Sequence, residues 1–234
     1  MSRVLIKYAT RGRAEKFQEC IKNIQSTITT DNYLIVVSID RDDKPMMDII
    51  GEINKLEKVI AFSGPPHGKV AAINRDLNHV NEGWDILINF SDDMRFVVNG
   101  WDQIMISKIK SVWGESLDFF AHFNDSYLGD KLPTMSIIGR EYYERFFYIY
   151  PPCYKSVSCD AEAWYVARLL GRCHYFPDVL FKHEHYVNIK GKPDATYQRN
   201  NQYEAQDTET YFKRLSKNFY VKHEGPTEFD KWKR

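Results

Sequence analysis

The chain has 234 residues, of which 43% are hydrophobic and 15% aromatic, and its 32 basic and 32 acidic residues give a formal net charge of zero. This composition allows a sizeable core and excludes a chain that is disordered throughout, and no apolar run is long enough for a transmembrane helix. The balanced charge argues against a surface coated with basic residues for nucleic-acid binding, although a local basic patch stays open.

The N-terminal run at 3–9 is apolar but too short for the core of a signal peptide. We therefore expect a soluble cytoplasmic protein without a membrane anchor, and a viral or bacterial origin fits such a small chain. No cysteine pair has CxxC spacing, which favours reduced thiols over a zinc or thioredoxin-type site. The cysteines are Cys20, Cys153, Cys159 and Cys173.

The first 93 residues alternate between short apolar runs and segments with helical periodicity. The predicted strands are 3–9, 33–39, 58–62 and 84–90, and the predicted helices between them are 13–26, 45–56 and 68–81. Such alternation predicts a parallel sheet with helices on both faces. Ligands of open α/β sheets bind beyond the carboxyl ends of the strands, so the polar segments that follow the strands are the candidate site.

The second half of the chain is less regular. We predict helices at 100–111, 140–149, 160–171 and 203–218, extended segments at 117–121, 134–138 and 173–181, and loops at 151–158 and 191–202. No repeat, low-complexity run or domain boundary is visible before about residue 186.

Two adjacent carboxylates, Asp92 and Asp93, directly follow the predicted strand at 84–90. Their mutual repulsion is offset well by a divalent cation such as Mg²⁺ or Mn²⁺, which also binds diphosphate oxygens. A solvated turn or a helix N-cap is the alternative.

A histidine pair, His183 and His185, follows the extended segment at 173–181. Residues i and i+2 of an extended chain share one face, and imidazole binds Mn²⁺ and other transition metals. A metal site shared with Asp93 would complete a mixed nitrogen and oxygen set. Two surface histidines at the end of a strand are the alternative.

Basic residues lie at two other strand ends. Lys69 follows Gly68 at a predicted helix N-terminus, where phosphate binds readily, although the P-loop pattern is absent and a solvated lysine is the alternative. Arg11 and Arg13 flank a glycine after the first strand, and they suit a phosphate or a nucleobase edge, or form only a basic loop.

Three further polar residues lie at positions that suggest function. Asp40, at the end of the second strand, is placed for ribose hydroxyls, but the absence of GxGxxG disfavours an NAD-type site. Asn74 is a poor helix former within a predicted helix, which favours a functional role. Asp160 is a candidate general base or only a helix N-cap, and Glu162 is the competing base.

Taken in order, these residues resemble the nucleotide-sugar glycosyltransferases of GT-A fold, especially the family 2-like group, over about residues 3–185. The resemblance implies a single α/β GT-A domain at 1–185, Rossmann-like, with a mixed, mostly parallel central sheet flanked by helices. It leaves 186–234 as a C-terminal extension that packs on the core or covers the active site. The matching stretches are Thr10-Arg11-Gly12-Arg13, Asp40, Gly68 to Asn74, Ile86 to Asp93, Asp160 and His183-Glu184-His185.

The resemblance also implies roles for these residues. Asp93 is expected to bind Mn²⁺ or Mg²⁺ together with His183 or His185, and Asp160 to deprotonate the acceptor hydroxyl. Because Ser91 stands at the first position of the DxD motif, metal binding rests on fewer carboxylates than usual. The residues expected to bind the nucleotide sugar are Thr10, Arg11, Arg13, Asp40, Lys69, Asn74 and Asp92.

The implied activity is metal-assisted transfer of a sugar from a nucleotide-diphosphate sugar, with a UDP-sugar favoured, to a glycan or other acceptor hydroxyl. Inversion at the anomeric carbon is expected, and retention stays open as the alternative. Three alternatives stay open: the same chemistry on a modified nucleic-acid base, a nucleotidyltransferase, and a non-catalytic nucleotide-sugar-binding module. The neutral charge weakens the first. The second usually has a GxGTR-type loop where this chain has ATRGR.

Overall fold

The computed structural model describes residues 2–80 and 83–221, and a central seven-stranded sheet runs through them. The strands of this described part are β1 (Val4–Thr10), β2 (Tyr33–Asp40), β3 (Val59–Gly64), β4 (Ile86–Phe90), β5 (Met94–Phe96), β6 (Phe120–Phe123), β7 (Ile137–Gly139), β8 (Cys173–Phe176) and β9 (Phe181–His183). Its α-helices are α1 (Ala14–Thr27), α2 (Lys44–Met47), α3 (Ile50–Ile53), α4 (Lys69–Asn74), α5 (Trp101–Trp113), α6 (Arg140–Glu144), α7 (Cys159–Leu169), α8 (Ala195–Asn201) and α9 (Glu204–Leu215).

The central sheet has the order β3-β2-β1-β4-β7-β6-β8. Its first four strands are parallel, β7 runs antiparallel to β4 and β6, and β6 runs parallel to β8. The structure therefore confirms the predicted α/β class with a mixed, mostly parallel sheet flanked by helices. A separate two-stranded ladder joins β5 to β9.

Helices cover both faces of this sheet. Successive side chains of β1 point to opposite faces, so each face presents apolar side chains against which helices pack. Ile6 belongs to a buried cluster with Phe17 of α1, whereas Leu5 belongs to a second cluster with Val70 of α4. The chain passes from β1 to β2 and β3 on one side and then returns to β4 on the other. The gap between β1 and β4 is therefore a topological switch point, where α/β proteins form their ligand crevice.

Three predicted helices are shorter than the sequence indicates, and the one predicted over 140–149 is reduced to the five residues of α6. The predicted helix over 45–56 is divided into α2 and α3, because Ile49 between them has a φ of −108°. The predicted helix over 68–81 ends at Asn74, because Arg75 has an extended backbone with a ψ of 168°, and Asp76 then adopts a φ of 72°. Residue 81 lies outside the described residues.

The predicted loop over 191–202 is wrong, because α8 lies within it. The Asp194 carboxylate caps this helix by accepting a hydrogen bond from the Tyr197 backbone N–H at 3.0 Å. Residues 222–234 of the predicted extension lie outside the described residues, and its boundary at residue 186 stays a prediction. No helix in the described part of the chain is both long and apolar enough to cross a membrane.

Candidate active site

A cavity of about 500 Å³ lies beyond the carboxyl ends of β1, β2 and β4, and we call it the switch-point cavity. It brings together residues that are far apart in the sequence and that the sequence analysis selected. The predicted site residues that line it are Thr10, Arg11, Arg13, Asp40, Lys69, Asp92, Asp93, Asp160, His183 and His185. Asn74 and Glu162 do not line it.

Asp92 is buried, and its carboxylate is held by the protein. Tyr8 and Thr10 donate hydrogen bonds to its Oδ1 at 2.9 and 3.1 Å, and one Arg13 nitrogen lies 3.9 Å from its Oδ2. Burial raises the pKa of Asp92 to about 7, although the charge of Arg13 opposes this. These contacts fix the turn that presents the next residue, Asp93.

Asp93 accepts hydrogen bonds from Ser91 and, at 2.5 Å, from the Tyr197 hydroxyl. The His183 Nε2 lies 3.4 Å from its Oδ2. Burial favours a higher pKa for Asp93, but the hydrogen bond and charge of His183 outweigh it and lower the pKa below its usual range. Asp93 is therefore an anionic carboxylate at neutral pH.

The β5–β9 ladder explains why His183 reaches Asp93. Met94, the next residue after Asp93, pairs with His183, and the Glu184 N–H donates to the Asp93 carbonyl at 2.6 Å. Asp125 lies on the other side of the ring, 3.9 Å from Nδ1, and this nitrogen is buried without a hydrogen-bond partner. Although burial lowers the pKa of His183, the two carboxylates raise it to about 9.

The pair of Asp93 and His183 fits two positions on one divalent cation. Ligand atoms about 2.1 Å from an ion at octahedral angles lie about 3 Å apart, close to the 3.4 Å measured between Oδ2 and Nε2. In residues 2–80 and 83–221, no group of three His, Cys, Asp or Glu side chains could hold a metal ion. The remaining ligands would therefore be phosphate oxygens and water, as is common for Mg²⁺.

His185 lines the same cavity but does not share this contact. Its ring centroid lies 5.5 Å from that of His183 and 4.7 Å from that of Tyr197. Burial and the neighbouring His183 lower the pKa of His185. Of the two predicted histidines, His183 is thus the one whose ring nitrogen lies beside Asp93.

At the end of β2, the Asp40 carboxylate is held between two arginines. Arg11 donates to Asp40 at 2.8 Å and also to Asp42, while Arg75 donates to Asp40 at 3.0 Å. Sequence reasoning missed Arg75, which directly follows α4 and has no distinctive pattern around it. The pair of arginines fixes a buried carboxylate at the cavity wall.

The helix α8, which the sequence did not predict, contacts the basic loop after β1. Arg13 donates to Asp194 at 2.8 and 2.9 Å and lies 4.3 Å from the ring centroid of Tyr197. The Thr196 hydroxyl donates to the Arg11 carbonyl at 2.8 Å. Because Tyr197 also bonds to Asp93, α8 forms one wall of the switch-point cavity.

The α4 residues have separate roles. Lys69 is exposed and lines the cavity. Asn74 does not line the cavity; its amide bonds the backbone of residues 149 and 150, at 2.6 to 3.1 Å, and of these Tyr150 lines the cavity. These hydrogen bonds to the loop after α6 explain why a residue of low helix propensity occupies this position.

The two candidate bases on α7 lie in different surroundings. Asp160 is half-buried, lines the cavity, and follows Cys159 inside the helix, so it is not the N-cap residue. The Glu162 carboxylate is buried away from the cavity, where Tyr154 donates to it at 2.6 Å and Arg214 at 2.7 and 2.8 Å. The geometry thus argues against Glu162 as the base, since its oxygens are already bonded.

The sequence matches no family model and no curated protein. The fold, in contrast, is similar to those of solved structures. Mannosyltransferase PcManGT from Pyrobaculum calidifontis, in complex with GDP-Man and Mn²⁺, has a TM-score of 0.65 and 16% identity, over 97% of this chain and 66% of its own. S. aureus TarS 1-349 in complex with UDP-GlcNAc has a TM-score of 0.62 and 12% identity, over 84% of this chain and 60% of its own.

This chain therefore spans less than two thirds of either of these two structures. At such identities the likeness shows the fold, which is the GT-A glycosyltransferase fold. The fold implied by the sequence resemblance is confirmed.

Proposed function

We propose that the protein is a glycosyltransferase that moves a hexose or pentose from a nucleotide-diphosphate sugar, with a UDP-sugar favoured, to an acceptor hydroxyl with inversion. The observation that carries this proposal is the convergence of Asp93, His183, Lys69 and Asp160 on one cavity at the switch point of a GT-A fold. The acceptor is a glycan or another hydroxyl compound. A nucleic-acid acceptor is not favoured, because the chain is neutral overall.

The donor side of this proposal rests on the basic loop after β1 and the carboxylate after β2. Arg11 and Arg13 line the cavity beside Asp40, which suits recognition of a ribose and a nucleobase. The similar structures were solved in complex with GDP-Man or UDP-GlcNAc, which supports a nucleotide-sugar donor here.

In the proposed mechanism, Asp93 and His183 would hold Mn²⁺ or Mg²⁺ in the switch-point cavity. A bound divalent cation neutralises the charge that develops on the leaving diphosphate. Asp93 would supply the anionic ligand, and His183 would give up its second ring proton when the cation binds, because only a neutral imidazole ligates a metal. Lys69, exposed at the cavity wall, adds a positive charge on the leaving-group side.

Asp160 is the proposed general base, which takes the proton of the acceptor hydroxyl as that oxygen attacks the anomeric carbon. Of the two acids considered on α7, it is the one that lines the cavity. Attack from the face opposite the leaving diphosphate inverts the anomeric centre. We further propose that the described part of the predicted extension, 186–221, covers the active site, which the contacts of Asp194, Thr196 and Tyr197 with Arg13, Arg11 and Asp93 support.

A panel of UDP-, GDP- and dTDP-sugars tests the proposal. Thermal shift and slow donor hydrolysis would be measured with Mn²⁺, with Mg²⁺ and with a chelator. We expect at least one donor to raise the melting temperature and to be hydrolysed only in the presence of the metal. Absence of both effects for every donor would refute the proposal.

A further inference from the structure

The loop that leads into the proposed base is held from outside the cavity by α9. Asp207 of this helix has no exposed surface, and its carboxylate accepts hydrogen bonds from three successive backbone N–H groups. The donors are Lys155 at 3.0 Å, Ser156 at 2.7 Å and Val157 at 2.9 Å. One carboxylate thus fixes the path of the chain just before α7 begins.

The opposite side of this loop rests on the start of α4. The Lys155 carbonyl accepts a hydrogen bond from the Val70 N–H at 3.1 Å. Gly68 has a φ of +107°, and a Cβ at this position would lie 3.0 Å from the same carbonyl oxygen, so a larger residue does not fit well. The loop is therefore held between Asp207 on one side and the helix that carries Lys69 on the other.

A second contact ties α9 to α7 just beyond Asp160. Arg214 lies seven residues after Asp207, which is about two helical turns and places both on one face of α9. Its guanidinium makes two hydrogen bonds, at 2.7 and 2.8 Å, with Glu162, which is buried. The helix thus holds the chain on both sides of Asp160, although neither of its two residues lines the switch-point cavity.

We infer that Asp207 is a positioning residue for sugar transfer: it fixes residues 155–157 and thereby sets the orientation of Asp160 toward the acceptor, with the Arg214–Glu162 pair as a second anchor. This inference rests on the proposed function. Ser156, Val157 and Ser158 line the same cavity as Asp160, so a displacement of the loop moves the wall that faces the acceptor. A carboxylate suits this task because it accepts several N–H groups at once and a neutral amide oxygen accepts fewer.

The decisive experiment is a double-mutant cycle of Asp207→Asn and Asp160→Asn in the full chain. Transfer kcat, donor Kd by calorimetry and melting temperature would be measured for each variant. We expect Asp207→Asn to lower kcat at least tenfold while donor Kd changes less than twofold. In the Asp160→Asn background, Asp207→Asn should lower the residual rate less than twofold, because Asp207 acts on transfer only by orienting Asp160.

The matched control is Glu209→Gln, which removes an exposed carboxylate from the same helix and should leave kcat and Kd unchanged. If Asp207→Asn does not fold, Arg214→Lys takes its place, since it keeps the charge but loses the two-point contact with Glu162. We expect Arg214→Lys to lower kcat several-fold at constant donor Kd. Asp207→Glu should restore part of the lost rate.

Several results would overturn the inference. If the Asp207 and Asp160 effects multiply independently, or if kcat follows only the fraction of folded protein, Asp207 is a structural residue alone. If donor Kd weakens in parallel with kcat, the loop serves the donor rather than Asp160. A wild-type protein that binds no nucleotide sugar refutes the proposed function and this inference together, whereas an additive cycle in an active enzyme refutes only the inference.

Discussion

The strands at the start of the chain and the helices at its end position the residues of the switch-point cavity in different ways. β1, β2 and β4 place Thr10, Asp40 and the Asp92–Asp93 turn through regular backbone pairing. α8 contacts the cavity, and α9 the loop at 155–157, through polar side chains, such as Tyr197 bonded to Asp93 and Asp207 bonded to Ser156. Placement by backbone pairing survives the loss of one side chain, whereas placement by α8 and α9 depends on a few polar side chains.

The largest expected effect is at the strand-borne carboxylate. Asp93→Ala removes the anionic ligand of the proposed metal pair while the β1–β4 pairing remains, so we expect metal-dependent donor binding to be lost. The melting temperature should also fall, because the variant loses the hydrogen bond from Tyr197 and leaves the buried His183 without this carboxylate. Calorimetry with a UDP-sugar, with Mn²⁺ and with a chelator, measures this. Asp48→Ala, in an exposed pair with Lys44, is the control and should bind as the wild type does.

The next effect concerns Asp160, the proposed base. Asp160→Asn keeps the shape of the side chain but removes its proton acceptor, so transfer should fall about 10²–10⁴-fold while donor binding is retained. Steady-state rates with a saturating donor and the acceptor test this. A variant that transfers at the wild-type rate would exclude Asp160 as the base.

A smaller effect is expected at the buried lysine of β1, Lys7. Burial lowers the pKa of Lys7 on β1 to about 7, although the charge of Asp76 opposes this. Because the unfolded chain then binds more protons between pH 7 and 10.5, the free energy of unfolding rises with pH in this range.

Relative to Lys7→Met, the wild type should gain about 1.5 kcal/mol of unfolding free energy between pH 7 and 8.5. Urea unfolding at a series of pH values measures the difference. Lys44→Met, at an exposed lysine, is the control and should show no such slope relative to the wild type. A constant difference for Lys7→Met would mean that Lys7 stays charged in the folded protein.

The smallest effect is expected at Tyr197 of α8, and it separates the stability of this helix from that of the strands. Tyr197→Phe deletes the hydroxyl that bonds to Asp93, and we expect a loss of about 1 kcal/mol in the stability of α8 against local opening. Hydrogen exchange should therefore become about fivefold faster at 195–201 and stay unchanged in β1 and β4. Equal acceleration in the strands would show that α8 and the sheet open as one unit.

The sequence predicted the strand-borne part of the site because the alternation of β and α segments determines where the strands end. The carboxyl ends of parallel strands meet at one edge, so Asp40, Asp92 and Asp93 were expected together, and the structure brings them to one cavity. The pairing of His183 with the strand after Asp93 depends on a three-residue ladder that is too short to be read from periodicity.

The remainder of the site depends on contacts between residues far apart in the chain. Tyr197 lies 104 positions from Asp93, and Asp207 lies 51 positions from Ser156, so no local pattern indicates either contact. The choice between Asp160 and Glu162 could not be made from the sequence either. Residues i and i+2 of a helix point to different sides, and only the fold shows that the first faces the cavity.

The β5–β9 ladder makes the number of residues between Asp93 and the paired strands as important as the identity of those residues. Met94 pairs with His183 and Phe96 with Phe181, so the imidazole faces Asp93 only in this register. One residue inserted between Asp93 and Met94 would either displace Asp93 from the His183 ring or shift the β5 residues by one against β9. The short segment at 93–96 is therefore closed to insertions and deletions even where its individual side chains tolerate replacement.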